Sequence, residues 1–202
     1  MRAALTLLLV LAPGLGRLLA AEPKPAYTWV AANEYYMALP VGQRLHLSEA
    51  GANKNVQPWA LGIRAVGNGP FAQTGGVQLQ SVKVDSPSTG RGTFYMLDLL
   101  LGMEYISPKQ PGRPLRFTAT GVADLGLSGS TFYAAPVLSV GLLYTTAETA
   151  RTPTGLTFDL YYRPTDIDLD DVGNGKAATL KPALGIKLGY IFEGFWTTKE
   201  KQ

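Results

Sequence analysis

Thr93–Ile106, TFYMLDLLLGMEYI, sets Tyr95, Leu97, Leu99, Leu101, Met103 and Tyr105 at every second position, with Asp98, Gly102 and Glu104 between them. Side chains of an extended chain point alternately to opposite faces, so this spacing predicts a β-strand with one apolar wall and one polar wall. Six large apolar groups in a row suit lipid or a dry core; carboxylates on the other side need a different environment.

The same period recurs along the chain. Eight segments carry it: Tyr27–Tyr36, Val56–Val66, Gly76–Val84, Thr93–Ile106, Leu115–Gly126, Thr131–Thr145, Leu156–Arg163 and Leu180–Phe195. In the fifth, Leu115, Phe117, Ala119, Ala123 and Leu125 oppose Arg116, Thr118, Thr120 and Asp124. In the eighth, Leu184, Ile186, Leu188, Tyr190 and Phe192 oppose Lys187, Gly189 and Glu193. The sixth is apolar on both faces and fits the pattern least. Aromatic residues stand near strand ends (Tyr27, Trp29, Trp59, Tyr105, Phe132, Tyr144, Trp196), where interfacial girdles belong. No helical period persists.

Composition narrows the class. Met1-Arg2, the apolar Leu5–Leu11 and the small-residue stretch to Ala21 have the three parts of a cleavable export signal, which assigns 1–21 to a signal peptide and 22–202 to one β-barrel domain. The chain has no cysteine, which excludes disulfides and an acylated cysteine anchor. Loss of Arg2 and Arg17 lowers the basic count from 18 to 16 against 15 acids, a charge of +1 that argues against nucleic acid as a partner. Charged residues are 16% of the chain, below the ~25% usual in soluble proteins, and lipid against an outer wall accounts for the deficit.

A sheet in hydrocarbon cannot leave edge N–H and C=O groups unpaired, so the expected architecture is a closed antiparallel up-and-down barrel, all-β and transmembrane. Eight strands enclose an interior that side chains fill, giving a plugged wall and not a wide pore. With the N-terminus in the periplasm, the longest connections, Ala38–Asn55 and Pro164–Thr179, fall on the cell exterior, as does the tight Ser128-Gly129 turn, while Ala147–Gly155 falls inside. Signal segment, eight alternating strands and an aromatic-rich last strand resemble the small bacterial outer-membrane β-barrels of the opacity-protein type. The resemblance implies a porin-like resident of the Gram-negative envelope whose partners are outer-membrane lipid, lipopolysaccharide and the barrel-assembly machinery. It implies no cofactor, and a scaffold that displays surface loops or passes small compounds.

Strand parity places Glu34, Arg64, Asp98, Glu104, Arg116, Asp124, Asp159, Arg163, Lys187 and Glu193 in the lumen, as an ion-pair network or as a selectivity lining. Pairing of strands four and five about Gln110 sets Glu104 across from Arg116 as a structural clasp.

Three other readings stay open. The chain's one histidine precedes a serine by two (His46-Leu47-Ser48), which on a strand puts imidazole and hydroxyl on one face, the arrangement for acyl transfer. The segment resembles the His-x-Ser-Asn motif of lipid A deacylases, with Glu49 in the asparagine position, and implies His46 and Ser48 as catalytic. Asp166, Asp168, Asp170 and Asp171 cluster before the last strand without the glycine and closing glutamate of a calcium loop, so no metal is expected there. A soluble periplasmic barrel of lipocalin shape, with its apolar face inward round a ligand, has the same alternation.

Overall fold

The computed structural model describes residues 32–47, 52–67, 70–86, 90–128, 131–148, 153–169 and 178–192. Its strands are β1 (Ala32–Val41), β2 (Arg44–Leu47), β3 (Ala52–Asn55), β4 (Trp59–Val66), β5 (Phe71–Ser86), β6 (Gly90–Ile106), β7 (Leu115–Ser128), β8 (Thr131–Glu148), β9 (Pro153–Arg163), β10 (Ile167–Leu169), β11 (Ala178–Leu180) and β12 (Ala183–Phe192). Eight of them close into an antiparallel barrel in the order β1-β12-β9-β8-β7-β6-β5-β4, with β4 paired back onto β1. Every barrel strand therefore has two neighbours, the condition that hydrocarbon imposes on backbone polar groups.

The alternation sorts the two faces of that wall. On β6, Tyr95 and Leu97 are 61% and 59% exposed while Met96 between them and Asp98 next along the strand are at 0%. The same holds for Tyr35, Met37, Leu39 and Val41 on β1, for Leu138, Val140, Leu142 and Tyr144 on β8, and for Leu156, Phe158, Leu160 and Tyr162 on β9. Among the described barrel side chains that point outward, the one charge is Lys83, far along β5. This is the inverse of a lipocalin, whose apolar face turns inward, and it excludes that alternative. Exposed aromatics ring both ends: Phe71 against Tyr105 (centroids 4.8 Å apart) and Tyr35 stacked on Phe192 (4.9 Å) at one, Trp59, Tyr95 and Phe132 at the other. Of the aromatics expected in the girdles, Tyr27, Trp29 and Trp196 lie outside the described residues.

β1, β4, β9 and β12 run 8 to 11 residues, the length that ~9–11 tilted residues need to cross a bilayer. β5 to β8 run 14 to 18 and overshoot it. On the short side the chain folds the excess elsewhere. β2, β3, β10 and β11 form a second sheet in the order β10-β11-β2-β3, so the two segments expected as long loops carry ordered strands.

Boundaries move accordingly. Residues 38–41, assigned to a loop from the sequence, continue β1, and Leu180, assigned to the last barrel strand, belongs with Ala178 and Thr179 to the second sheet. Pro40 masked the continuation of β1. It sits past Ala38, where pairing with β4 has ended, while pairing with β12 continues to Val41, so its missing N–H costs no bond on the β4 side. Gly42, at φ 64°, then turns the chain into β2, a conformation that L side chains rarely adopt.

Candidate functional site: a layered, closed lumen

Side chains fill the barrel in layers. At the end where β1 begins, Ala32, Val66, Ile106, Leu143 and Ile191 form a buried apolar floor. At the other end the second sheet turns Leu45, Leu47, Ile167, Leu169, Ala178 and Leu180 against Val82, Met96, Tyr133 and Ala135 on the inner rims of β5, β6 and β8. This cap follows from its sequence, since Leu45-His46-Leu47 and Ile167-Asp168-Leu169 put apolar groups on one face and polar ones on the other.

Hydrogen bonds from the barrel hold it. Gln43, fully buried, donates from Nε2 to the Lys181 carbonyl (2.5 Å), and Arg163 donates from one terminal nitrogen to the same carbonyl (2.8 Å) and to Gln43 Oε1 (3.3 Å).

Above the floor lies an ionic layer. Arg64 is its hub: its Nε donates to Glu34, a terminal nitrogen to Glu104 Oε1 at 2.7 Å, and the other to Thr120 Oγ1 at 3.3 Å. Lys187 meets Asp159 at 2.7 Å and Glu34 at 3.7 Å. Thr157 donates to Glu34, and Thr118 to Asp159 at 2.8 Å. Strand register makes two of these pairs, because Glu34 lies directly across from Arg64 and Asp159 from Lys187. All five charged groups are under 9% exposed, so each depends on its partners and not on water.

Glu104 was expected across from Arg116, and the structure corrects this. The β6–β7 ladder pairs Glu104 with Thr120. The connecting turn is Gln110–Arg113, closed by a 3.1 Å hydrogen bond, with Pro111 and then Gly112 at φ 72°, the residue pair that a type II turn selects. It centres the hairpin beyond Gln110. Arg116 is half-buried at the floor end, where its Nε donates to the Ser107 carbonyl (2.8 Å). Glu193 lies outside the described residues.

Further toward the cap come three tyrosines that sequence reasoning missed, each pointing inward over a glycine. A Cβ on Gly62 would stand 2.2 Å from the Tyr36 ring, one on Gly126 2.1 Å from Tyr133, and one on Gly185 2.4 Å from Tyr161. Glycine makes room for the ring to lie flat on the wall. For two of them the parity with a lumen charge (Tyr36 with Glu34, Tyr161 with Asp159) was the available signal; β8, which carries Tyr133, offers no such charge. In this upper layer Tyr133 and Gln78 donate to the two oxygens of Asp98, the Gln78 bond being 2.9 Å, and Asp124 and Arg163 complete the charges.

His46 lies on β2 opposite the buried Leu45 and Leu47, on the cap's outer side, in register with Thr179 and Asn53. Ser48 lies outside the described residues. Asp166 and Asp168, expected in a loop, flank and occupy β10: Asp166 pairs with Lys181 at 2.8 Å, and Asp168 accepts from Thr179 at 3.0 Å. They are the solvated row of a strand. Asp170 and Asp171 lie outside the described residues.

An apolar exterior, a lumen packed with ion pairs and a mouth covered by a small sheet define an eight-stranded transmembrane β-barrel with no continuous wide pore. No family model and no curated protein sequence matches the chain. Solved structures do: the outer membrane protein OprG from Pseudomonas aeruginosa aligns with a TM-score of 0.50 and 11% identity, over 84% of this chain and 99% of that one. This likeness shows a shared fold. AlkL, an outer membrane protein solved in lipid bilayers, aligns at 0.43 and 14% over 89% and 98%, and Ail, the attachment invasion locus protein of Yersinia pestis, at 0.41 and 13% over 82% and 100%.

Proposed function

We propose that this is an integral protein of a bacterial outer membrane, without enzymatic activity, which holds an ordered four-stranded sheet on the cell exterior. The observation that carries the reading is the pairing of an apolar belt outside with a lumen closed at both ends inside. A conducting pore needs a continuous polar path, and here the floor and the cap interrupt it with buried apolar side chains. The belt supports outer-membrane lipid as the surrounding medium, with lipopolysaccharide on the cap side and insertion by the barrel-assembly machinery. The cap, fixed by Gln43 and Arg163, gives the exterior a rigid surface of polar side chains, including Arg44, Lys54 and Asp168.

Two measurements test this. Cell fractionation should find the protein in the detergent-soluble envelope fraction, and planar bilayers containing it should show no steady conductance. Release by osmotic shock without detergent, or a stable ionic current, would refute it. The deacylase reading requires His46; lipid A acyl patterns, read by mass spectrometry, should be the same with the wild type and with His46→Ala.

A further inference from the structure

The hairpin that joins β6 to β7 at the floor end carries charge of one sign. Ser107–Phe117, SPKQPGRPLRF, holds Lys109, Arg113 and Arg116 and no acid, in a chain of 18 bases and 15 acids. Arg116 is half-buried and directs its Nε to the Ser107 carbonyl. Lys109 and Arg113 are exposed, and with Gly112, Pro114, Thr145 and Thr146 they line a concavity of about 330 Å³. One water needs roughly 10–15 Å³ by this measure, so the space admits a larger group. Among the described residues no carboxylate lines it.

The frame of this concavity is fixed by the backbone. The Arg113 N–H donates to the Gln110 carbonyl (3.1 Å), the Thr145 N–H to the Pro114 carbonyl (2.8 Å) and the Ser107 N–H to the Phe117 carbonyl (2.9 Å). The Thr145 hydroxyl has no hydrogen-bond partner. Depth follows from the neighbours. Tyr105, packed on Phe71, ends the outward row of β6 four residues before Lys109, and Arg113 precedes the exposed Leu115 by two. Girdle aromatics mark the boundary between hydrocarbon and headgroups, so the two cations stand at headgroup level. From them a strip of exposed apolar side chains runs toward mid-membrane, Leu115 paired with Tyr144 and then Phe117 with Leu142.

We infer that this hairpin is a docking site for one anionic glycerophospholipid, its phosphate held by Lys109 and Arg113 with the Thr145 hydroxyl as a further donor, and its acyl chains laid against the Leu115–Tyr144 and Phe117–Leu142 pairs. A guanidinium can meet two phosphate oxygens at once, and an ammonium adds a compact charge beside it. Two cations with no acid between them favour a lipid of net negative charge over a zwitterionic one. A free phosphate ion would meet the same donors, but it gains nothing from the apolar strip, which is what selects a lipid. The leaflet rests on the proposed outer-membrane placement: with the floor in the periplasm, the lipid belongs to the inner leaflet.

The test uses the whole protein folded in a neutral detergent, with native mass spectrometry counting one-to-one complexes as phosphatidylglycerol or phosphatidylcholine of the same acyl chains is added. A cation beside an anionic lipid is worth about a fivefold change in affinity, so the wild type should prefer phosphatidylglycerol by at least about tenfold. Arg113→Gln should weaken that complex about fivefold, and Lys109→Gln added to it about twentyfold in all, while Arg113→Lys should keep most of the binding. Lys83→Gln, which removes one charge from the opposite rim, should change nothing, and excess inorganic phosphate should leave the complex in place. Equal affinity for the two lipids would overturn the proposal. So would an equal effect of Lys83→Gln and Arg113→Gln, which would mean attraction by charge without a site, or displacement by inorganic phosphate, which would assign the concavity to a free anion. Insertion is read separately by a heat-modifiable gel shift in phosphatidylcholine vesicles, so an inserted protein without lipid preference counts against this site and leaves the outer-membrane reading standing. If the double variant does not fold, the wild-type comparison and the single variants decide the question.

Discussion

Removing the hub of the ionic layer by Arg64→Met should destabilise the barrel by about 3–5 kcal/mol, the usual effect of deleting one partner of a buried ion pair. The structure says where that penalty falls. Glu34 keeps Lys187 at 3.7 Å and the hydroxyl of Thr157. Glu104 has Arg64 as its ion-pair partner at 2.7 Å, and its Oε2 already accepts nothing, so it becomes a bare buried carboxylate. Neutralising Glu104 in the same chain (Arg64→Met with Glu104→Gln) should therefore recover most of the loss, and neutralising Glu34 instead should recover less. Equilibrium unfolding in urea, followed by tryptophan fluorescence on protein refolded into lipid vesicles, gives the comparison. With a slope of roughly 2 kcal/mol per molar, the single variant's midpoint should fall by about 1.5–2.5 M. The reasoning fails if Arg64→Met lies within about 1 kcal/mol of the wild type, or if the Glu34→Gln double variant recovers more than the Glu104→Gln one.

Other consequences are as direct. Gly62→Val should prevent folding or lower stability by at least ~1–3 kcal/mol through overpacking, and adding Tyr36→Ala should relieve it, read as recovery of the folded band in a heat-modifiable gel shift. Leu99→Arg, at mid-wall facing lipid, should cost about 2–4 kcal/mol, and Tyr95→Arg, nearer the rim, no more than about 1 kcal/mol in the same urea assay. Gln43→Ala removes one tie between barrel and cap; hydrogen exchange should speed up in β2 and β11 while β12 keeps its protection.

The barrel was legible because a period of two is hard to produce by accident across eight segments. Parity alone placed Glu34, Arg64, Asp98, Glu104, Asp124, Asp159, Arg163 and Lys187 on the inner face. Which of them meet was not legible. That depends on register, and register is set at the turns: taking Gln110 and not Pro111-Gly112 as the pivot moved Arg116 opposite Glu104 on paper, while the chain puts Thr120 there and brings Arg64 from another strand. The cap was missed for a related reason. Strands of three and four residues such as Ile167–Leu169 and Arg44–Leu47 show barely two periods, too few to separate from a loop, and the pairing that joins the two segments, β2 with β11, links residues more than 100 apart in the chain. The acidic run was visible as acidic but not as the outer row of a strand, since that needs Ile167 and Leu169 to have somewhere to be buried.

The ionic layer also answers a problem specific to closed barrels. The strand on which the sheet begins and the strand on which it ends must find each other and pair in one register, with no hairpin turn to align them. Here β1 meets β12 by nine consecutive pairings, and Lys187 on β12 reaches Glu34 on β1, while Glu34 holds Arg64 on β4 and Lys187 holds Asp159 on β9. Four adjacent strands across the seam are thus tied by charge. A slip of one residue on β1 would turn Glu34 into lipid, a change worth up to several kcal/mol at mid-membrane, and would strip Arg64 and Lys187 of a shared partner at once. Hydrophobic burial alone does not give that discrimination, because the lipid accepts any apolar register on the outside; the buried charges make the closed register the one with no ion left over in hydrocarbon.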